Sequence, residues 1–337
     1  MKRLLGTGIA TLALVACGVQ RQAPAPTAAT ALRAAARDDQ PETRVDRARL
    51  EAALATLTGK KALPDGRFIK ERGGTEGRDL TRNYLQATLE GLGYQVQRHA
   101  YSSRGQNVLA TLPAESPTDE TIIVGAHMDS VSNPGADDNG SGSAAVLEAA
   151  AVLDDLAGRK VNITFAWFDQ EELGLVGSYA WARDLRKQKA NVSSVHTLDM
   201  VGWDSDDDRA IEIERPDGDL WDWYQHVNKT HKLDLPLYRT NSGATDHVAF
   251  RDEGFKSVGI CEEWVNHDTT PHYHRRSDTF ETIDLDYLAA VTKLTVAAVG
   301  DMARKLPAPP ASVRVPHNRF PGRDRTFHRH GLELGTH

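Results

Sequence analysis

The sequence predicts an α/β protein, with a mixed, mostly parallel central sheet sandwiched by helices, and three observations carry that expectation. The apolar runs at residues 121–126 and 162–168 are continuous rather than alternating, as suits short strands covered on both faces. Strand-type and helix-type segments take turns along the chain, the order that builds a sheet with helices packed on it. The 337 residues are 40% hydrophobic and 26% charged, enough apolar material for one large core.

Taken in order, Met1-Lys2-Arg3 is a positive segment ahead of an apolar run from Leu4 to Ala16 that is too short to cross a bilayer as a helix, so residues 1–16 read as an export signal. The run ends Leu14-Val15-Ala16-Cys17-Gly18, which resembles a bacterial lipoprotein signal. That resemblance implies cleavage before Cys17 and lipid attachment to its thiol, giving a protein of the cell envelope that meets the membrane only through this anchor. A plain secretory signal that happens to contain a cysteine is the alternative. Residues 17–44, rich in Ala, Pro, Gln, Thr and Arg without an apolar period, predict a flexible tether.

A single catalytic domain is expected over residues 45–305. Val45, Leu50, Ala53, Leu54 and Leu57 open a helical pattern, and a second helix over 78–92 ends at the stop Gly91-Leu92-Gly93. Strands are expected at 94–101, 107–112, 121–126, 162–168, 194–199 and 257–261. Helices are expected at 143–156, 176–188, 220–230, 245–252 and 285–305. Catalytic groups in such a sheet belong at the carboxyl ends of the strands. Residues 306–337, with His317, His328, His330 and His337 in a Pro- and Arg-rich setting, read as a flexible tail.

The net charge of −7 includes +2 from Lys2 and Arg3, so the rest of the chain carries −9, and an acidic balance argues against nucleic acid as a partner. No obligate protein partner is inferred. Cys17 and Cys261, the two cysteines, stand in contexts too different for a disulfide between them to be expected.

Chemistry-bearing residues cluster at strand ends. His127-Met128-Asp129-Ser130 follows the 121–126 strand, where an imidazole can ligate a metal and a carboxylate two residues on can accept its other N–H. A hydrogen-bonded surface pair is the plainer account of that motif alone. The loop Pro134 to Gly142 carries Asp137 and Asp138 among residues that permit unusual backbone angles, and a helix N-cap explains it equally well in isolation. Glu171 and Glu172 follow the next strand; adjacent carboxylates repel unless a cation or proton lies between them, although an acidic first helical turn is the competing account. Asp199 closes another strand, and His272 and His274 supply further imidazoles. Together these residues make the His, Asp, Glu, Asp, His set that two divalent metals require when one carboxylate bridges them.

At that point the chain, from about Val45 to Lys305, resembles the M28 family of zinc aminopeptidases. The resemblance rests on His-x-Asp-Ser, Gly-Ala-Asp-Asp-Asn-Gly-Ser-Gly, Glu-Glu-x-Gly-Leu-x-Gly-Ser, Leu-Asp-Met-Val-Gly, Thr-Asp-His and Tyr-His followed by Asp-Thr, with Arg72-Gly73-Gly74-Thr75-Glu76-Gly77 upstream. It implies two zinc ions per chain: one bound by His127, Asp138 and Asp199, the other by Asp138, Glu172 and His274. It also implies a cis peptide after the bridging Asp138, a base at Glu171, support from Asp129, and an oxyanion donor at Tyr273. Asp246 and His247 fall on a pair read as structural support.

Peptides are the implied substrates, most simply cleaved from their free N-terminus. A carboxypeptidase or dipeptidase, a single-zinc glutaminyl cyclase, and a non-catalytic peptide-binding lipoprotein are the alternatives on the same fold.

Overall fold

The structure is a computed structural model and describes residues 40–307. The export signal, Cys17 and the histidine-bearing tail lie outside the described residues. The helices are α1 (Arg47–Leu57), α2 (Thr75–Gly91), α3 (Gly142–Leu153), α4 (Val176–Gln188), α5 (Leu220–Thr230), α6 (His247–Asp252) and α7 (Leu285–Arg304). The strands are β1 (Val96–Ala100), β2 (Gln106–Leu112), β3 (Thr121–His127), β4 (Asn162–Phe168), β5 (Val192–Leu198), β6 (Ile211–Glu214), β7 (Leu237–Thr240) and β8 (Ser257–Cys261).

Local chemistry sets the helix starts. The Asp46 side chain accepts the Ala48 N–H at the head of α1, and Asp284 accepts those of Asp286 and Tyr287 at the head of α7. Each satisfies amide donors that the helix itself leaves free.

The eight strands form one sheet in the order β1-β2-β4-β3-β5-β8-β6-β7. Its centre is parallel, β4 to β3 to β5 to β8, and β2 and β6 join that centre antiparallel. The mixed, mostly parallel sheet expected from the apolar runs is therefore present. Ile122, Val124 and Ala126 face a core shared with α1, α3 and α7, while Ile123 faces a smaller one with Phe168, Trp181 and Phe250 under α4 and α6. This burial on both faces is why the β3 and β4 sequences run apolar without alternation.

Two departures from the sequence reading stand out. Strands β6 and β7 were not expected: Ile211-Glu212-Ile213-Glu214 buries its glutamates as well as its isoleucines, and Leu237–Thr240 is a short edge strand. The folded unit also starts before Val45. Pro41–Arg44 is a turn of 3-10 helix with Pro41 and Glu42 buried, so the tether expected over 17–44 does not extend through these residues. Pro41 packs on Gly300 of α7, Arg44 pairs with Asp155, and Glu42 reaches the imidazole of His231 at 2.7 Å.

The parallel strands end level with one another. His127 of β3 stands opposite Phe168 of β4, and Gly125 opposite Thr197 of β5, which brings Asp199 alongside His127. Three side-chain-bearing loops thus leave the same edge of the sheet.

Candidate metal centre

His127, the last residue of β3, is buried and points its Nε2 at two carboxylates, Asp138 Oδ1 and Asp199 Oδ1, each 3.2 Å away. Its Nδ1 lies 3.1 Å from the backbone carbonyl of Asp129. The tautomer that donates to this carbonyl leaves the Nε2 lone pair facing two carboxylate oxygens, an arrangement that calls for a cation between them. His274 repeats the pattern: its Nε2 stands 3.1 Å from Asp138 Oδ2 and 3.0 Å from Glu172 Oε2. Asp138 is shared, one oxygen towards each imidazole.

His127, Asp138 and Asp199 therefore form one trio with mutually close ligand atoms, and Asp138, Glu172 and His274 a second. Imidazole plus carboxylate oxygen is a donor set that suits zinc. Among the described residues, His127, Glu171 and Glu172 also bring ligand atoms close to one another, as do the all-carboxylate Asp204, Asp206 and Asp208.

Electrostatics agree with a site built for positive charge. Burial pushes the Glu171 carboxyl well above its usual range, with Asp199, Asp246 and Glu172 adding repulsion. Burial likewise lifts Glu172 to about 7, helped by Asp138. Burial opposes ionisation of Asp138 as well, but the imidazoles of His127 and His274 outweigh it and hold its carboxyl below the ordinary range. His274 goes the other way: burial disfavours its charge, yet Asp138 and Glu172 raise it to about 10. So many buried carboxylates around two imidazoles are stable together only when protons or metal ions separate them.

The surrounding loops are held from outside. Asp137, beside the shared aspartate, turns away and accepts the Gly202 N–H at 2.8 Å, which separates the two adjacent acids by role. The peptide from Asp138 to Asn139 is cis, as the family resemblance implied. The Asn139 amide ties this turn to the Leu198 carbonyl of β5 and to the Gly142 N–H. Gly135, at φ +58°, has no room for a side chain, since a Cβ there would come 2.5 Å from the Asp138 carbonyl oxygen.

Asp129 departs from expectation in one respect. Its carbonyl, not its carboxylate, is the close partner of His127; the carboxylate Oδ1 is 3.6 Å from Nδ1. The carboxylate instead accepts the backbone N–H groups of Glu171 at 3.0 Å and Glu172 at 3.3 Å, fixing the turn that presents both glutamates. Glu172 Oε1 also takes the Val131 N–H at 3.1 Å, while Glu171 Oε2 stays 3.9 Å from His127.

Tyr273 stacks on His274 with ring centroids 3.8 Å apart and meets Trp264 edge-on at 5.6 Å. Burial raises its phenol, so the hydroxyl remains a proton donor. His272 is turned to Ser277 Oγ at 2.9 Å and to the Trp203 ring, outside both trios. His247 is buried against Thr245 Oγ1 at 2.7 Å, and burial depresses it to about 3. Asp169, next to the two glutamates in sequence, is occupied by Arg78 at 3.0 Å and Arg82 at 2.8 Å.

Two residues escaped a functional reading in the sequence. Arg72 is fully buried and spends its guanidinium on the carbonyls of Leu57, Met128, Pro134 and Gly135, bracing the loop between His127 and Asp138. Asp278 accepts the N–H groups of Asp137 at 2.8 Å and Asp138 at 3.2 Å. The signal that could have found Arg72 is an arginine set among glycines just before a helix; for Asp278 it is the Asp-Thr that follows the histidine.

Residues 107–299, more than half of the chain, match the profile of Peptidase family M28. The sequence is 28% identical over 263 residues to Leucine aminopeptidase 1 of Neurospora crassa, covering 70% of this chain and 64% of that enzyme, just under two thirds of its length. Among solved structures, LapA aminopeptidase of Legionella pneumophila shares the fold, with a TM-score of 0.70 at 24% identity, over 79% of this chain and 74% of that one. BSAP, a zinc aminopeptidase from Bacillus subtilis, aligns with a TM-score of 0.55 at 29% identity, over 59% of this chain and 50% of that one.

Proposed function

The chain belongs to Peptidase family M28, and from that premise we propose that it is a zinc aminopeptidase that uses two metal ions per chain to release N-terminal residues from peptides. The observation that carries this reading is the pair of imidazole nitrogens, each facing two carboxylates, with Asp138 common to both. His127, Asp138 and Asp199 would hold one zinc, and Asp138, Glu172 and His274 the other. Zinc bound there would polarise the scissile carbonyl and bring the pKa of a shared water towards neutrality.

The protein's own groups do the rest. Glu171 makes neither of the close imidazole contacts, so its carboxylate is free to take a proton from the attacking water and return it to the leaving amine, a role typically worth about 10²–10⁴ in rate. Asp129 aims it by holding its backbone N–H. Tyr273, kept protonated by burial, donates to the oxygen on which charge develops. The substrate ammonium is met by the acidic surroundings of Glu171 and Asp199. Two complete trios favour this reading over single-zinc cyclase chemistry, and an available base favours it over a peptide-binding protein without activity.

A peptide with free ends, its N-acetyl form and its C-terminal amide separate the exopeptidase types. Cleavage that survives amidation and disappears on acetylation is expected; the reverse pattern makes the protein a carboxypeptidase.

We also propose that the enzyme is exported and held at a membrane through lipid on Cys17, since the sequence pattern supports an anchor and no described helix is long and apolar enough to cross a bilayer. Cys17→Ala should abolish incorporation of labelled lipid and leave peptidase activity intact. Labelled lipid on that variant contradicts the anchor.

A further inference from the structure

The two trios are supported differently. His127 and Asp199 of the first stand at the ends of neighbouring parallel strands, so the register of the sheet sets their separation. The second has no such frame: Asp138 comes from the turn at 136–141, Glu172 from the turn after β4, and His274 from an irregular stretch where it has φ +56° and a side chain 40% exposed. Glu172 is fixed by Asp129 and Val131. What fixes His274 relative to Asp138 is the question.

Asp278 answers it. The stretch from His272 to Asp278 is folded on itself by Arg275 N–H to the His272 carbonyl at 2.9 Å and Asp278 N–H to the Arg275 carbonyl at 3.0 Å. At its end the buried Asp278 carboxylate spreads over two successive amides, Asp137 N–H on Oδ1 and Asp138 N–H on Oδ2. Its backbone carbonyl takes the Ala136 N–H at 3.4 Å. Three consecutive amides of the loop that carries the shared aspartate thus close on one residue four positions after His274. Asn133 makes a second tie between the same segments, from its side-chain N–H to the Arg275 carbonyl at 3.0 Å. Arg72, packed under the loop, faces the Asp278 charge and offsets its repulsion with Asp138.

We propose that Asp278 is a positioning residue that sets the affinity of the second metal site, Asp138, Glu172 and His274, and acts more weakly on the first, which shares Asp138 but takes His127 and Asp199 from the sheet. The inference rests on the two-zinc reading. Groups that orient metal ligands through one intervening contact typically change metal affinity by about 10- to 100-fold when removed. Asn at 278 keeps the volume but can accept only one of the two amides and turns an NH₂ towards the other, so the loop and the His274 stretch lose their common anchor.

The test titrates metal-free wild-type protein and Asp278→Asn with Zn²⁺ against a chromophoric chelator and reads the two dissociation constants. Wild type should bind two zinc ions; the variant should bind one about 10- to 100-fold more weakly and lose distinctly less affinity for the other, whose remaining ligands His127 and Asp199 are framed by the sheet. Peptide hydrolysis by the variant should recover as zinc is raised, which a general loss of structure would not allow, and thermal unfolding of the metal-free proteins gives the control for folding. Equal weakening of both sites, or of neither, overturns the proposal. A wild type that binds a single zinc overturns the two-metal reading instead. Should Asp278→Asn fail to fold, Asn133→Ala cuts the other tie and must weaken the second site more than the first, and unchanged affinity there overturns the proposal.

Discussion

His127 and His231 are both buried imidazoles among carboxylates, yet they are built for opposite ends. His231, at the end of α5, has one short partner on each ring nitrogen: Glu42 Oε1 at 2.7 Å on Nδ1 and Asp301 Oδ2 at 2.8 Å on Nε2. Each N–H of an imidazolium finds one acceptor, and the cluster is complete with a proton. His127 gives one nitrogen to a backbone carbonyl and sets the other at 3.2 Å from two carboxylates at once, and His274 shares one of them, Asp138. A single N–H cannot point along both directions. Histidine beside acid is common to both places; the number of oxygens per nitrogen, and whether one carboxylate serves two imidazoles, separates a clamp from a metal centre.

Glu171→Gln keeps the shape of the side chain and removes the proton acceptor, so turnover should fall by about 10²–10⁴-fold with zinc content unchanged. Loss of metal in that variant, with the remaining metal-loaded molecules fully active, would mean that Glu171 and Glu172 have exchanged roles.

At the clamp, the effect should fall on stability instead. Glu42→Ala leaves the buried His231–Asp301 pair half satisfied and should cost about 3 kcal/mol in urea unfolding, with peptidase activity per folded molecule unchanged. A chain shortened to begin after Glu42 should show the same loss. If Glu42→Ala instead reduced activity at full stability, the division between the two clusters would fail.

The smallest effect is a pH dependence. Hydrogen bonds donated to Asp301 and Glu42 raise His231 to about 9, above the imidazole value of roughly 6.5 in an unfolded chain. The folded state then binds the proton more tightly, so this contribution is fully present below pH ~6.5 and is lost as the pH rises through about 9. The urea midpoint should decline between pH 7 and 10, and His231→Gln should flatten that decline. An equal decline in the variant would assign the effect to other groups.

How much of this was legible in the sequence follows from where each residue's partners lie. The bounds expected for the strands at 162–168 and 257–261 and the helices at 176–188 and 220–230 coincide with those observed, because burial on one face or two writes a period into the residues themselves. Strand β6 was missed although Ile211-Glu212-Ile213-Glu214 alternates, since four residues are a short period and both glutamates are buried: Glu212 accepts the Val265 N–H, and Glu214 lies beside Thr245 and His247. The turn at Pro41–Arg44 hid because its reason is Glu42 meeting His231, a partner 189 residues away.

In the site, the motif residues His127, Asp138, Glu172, Asp199 and His274 do converge in the fold. The contacts of Arg72, Asp278 and the Asp129 carboxylate were not legible, since all three work on backbone groups, and a sequence does not display which amides and carbonyls are left without partners.

We propose that the shared carboxylate of Asp138 marks a centre for two metal ions. Metal analysis of purified active protein, repeated after chelation and after stepwise return of zinc, tests it most directly. About two zinc ions per chain are expected, with loss of peptide hydrolysis on their removal and full recovery only when the second is restored. Full activity in metal-free protein, or full recovery at one zinc per chain, would contradict it.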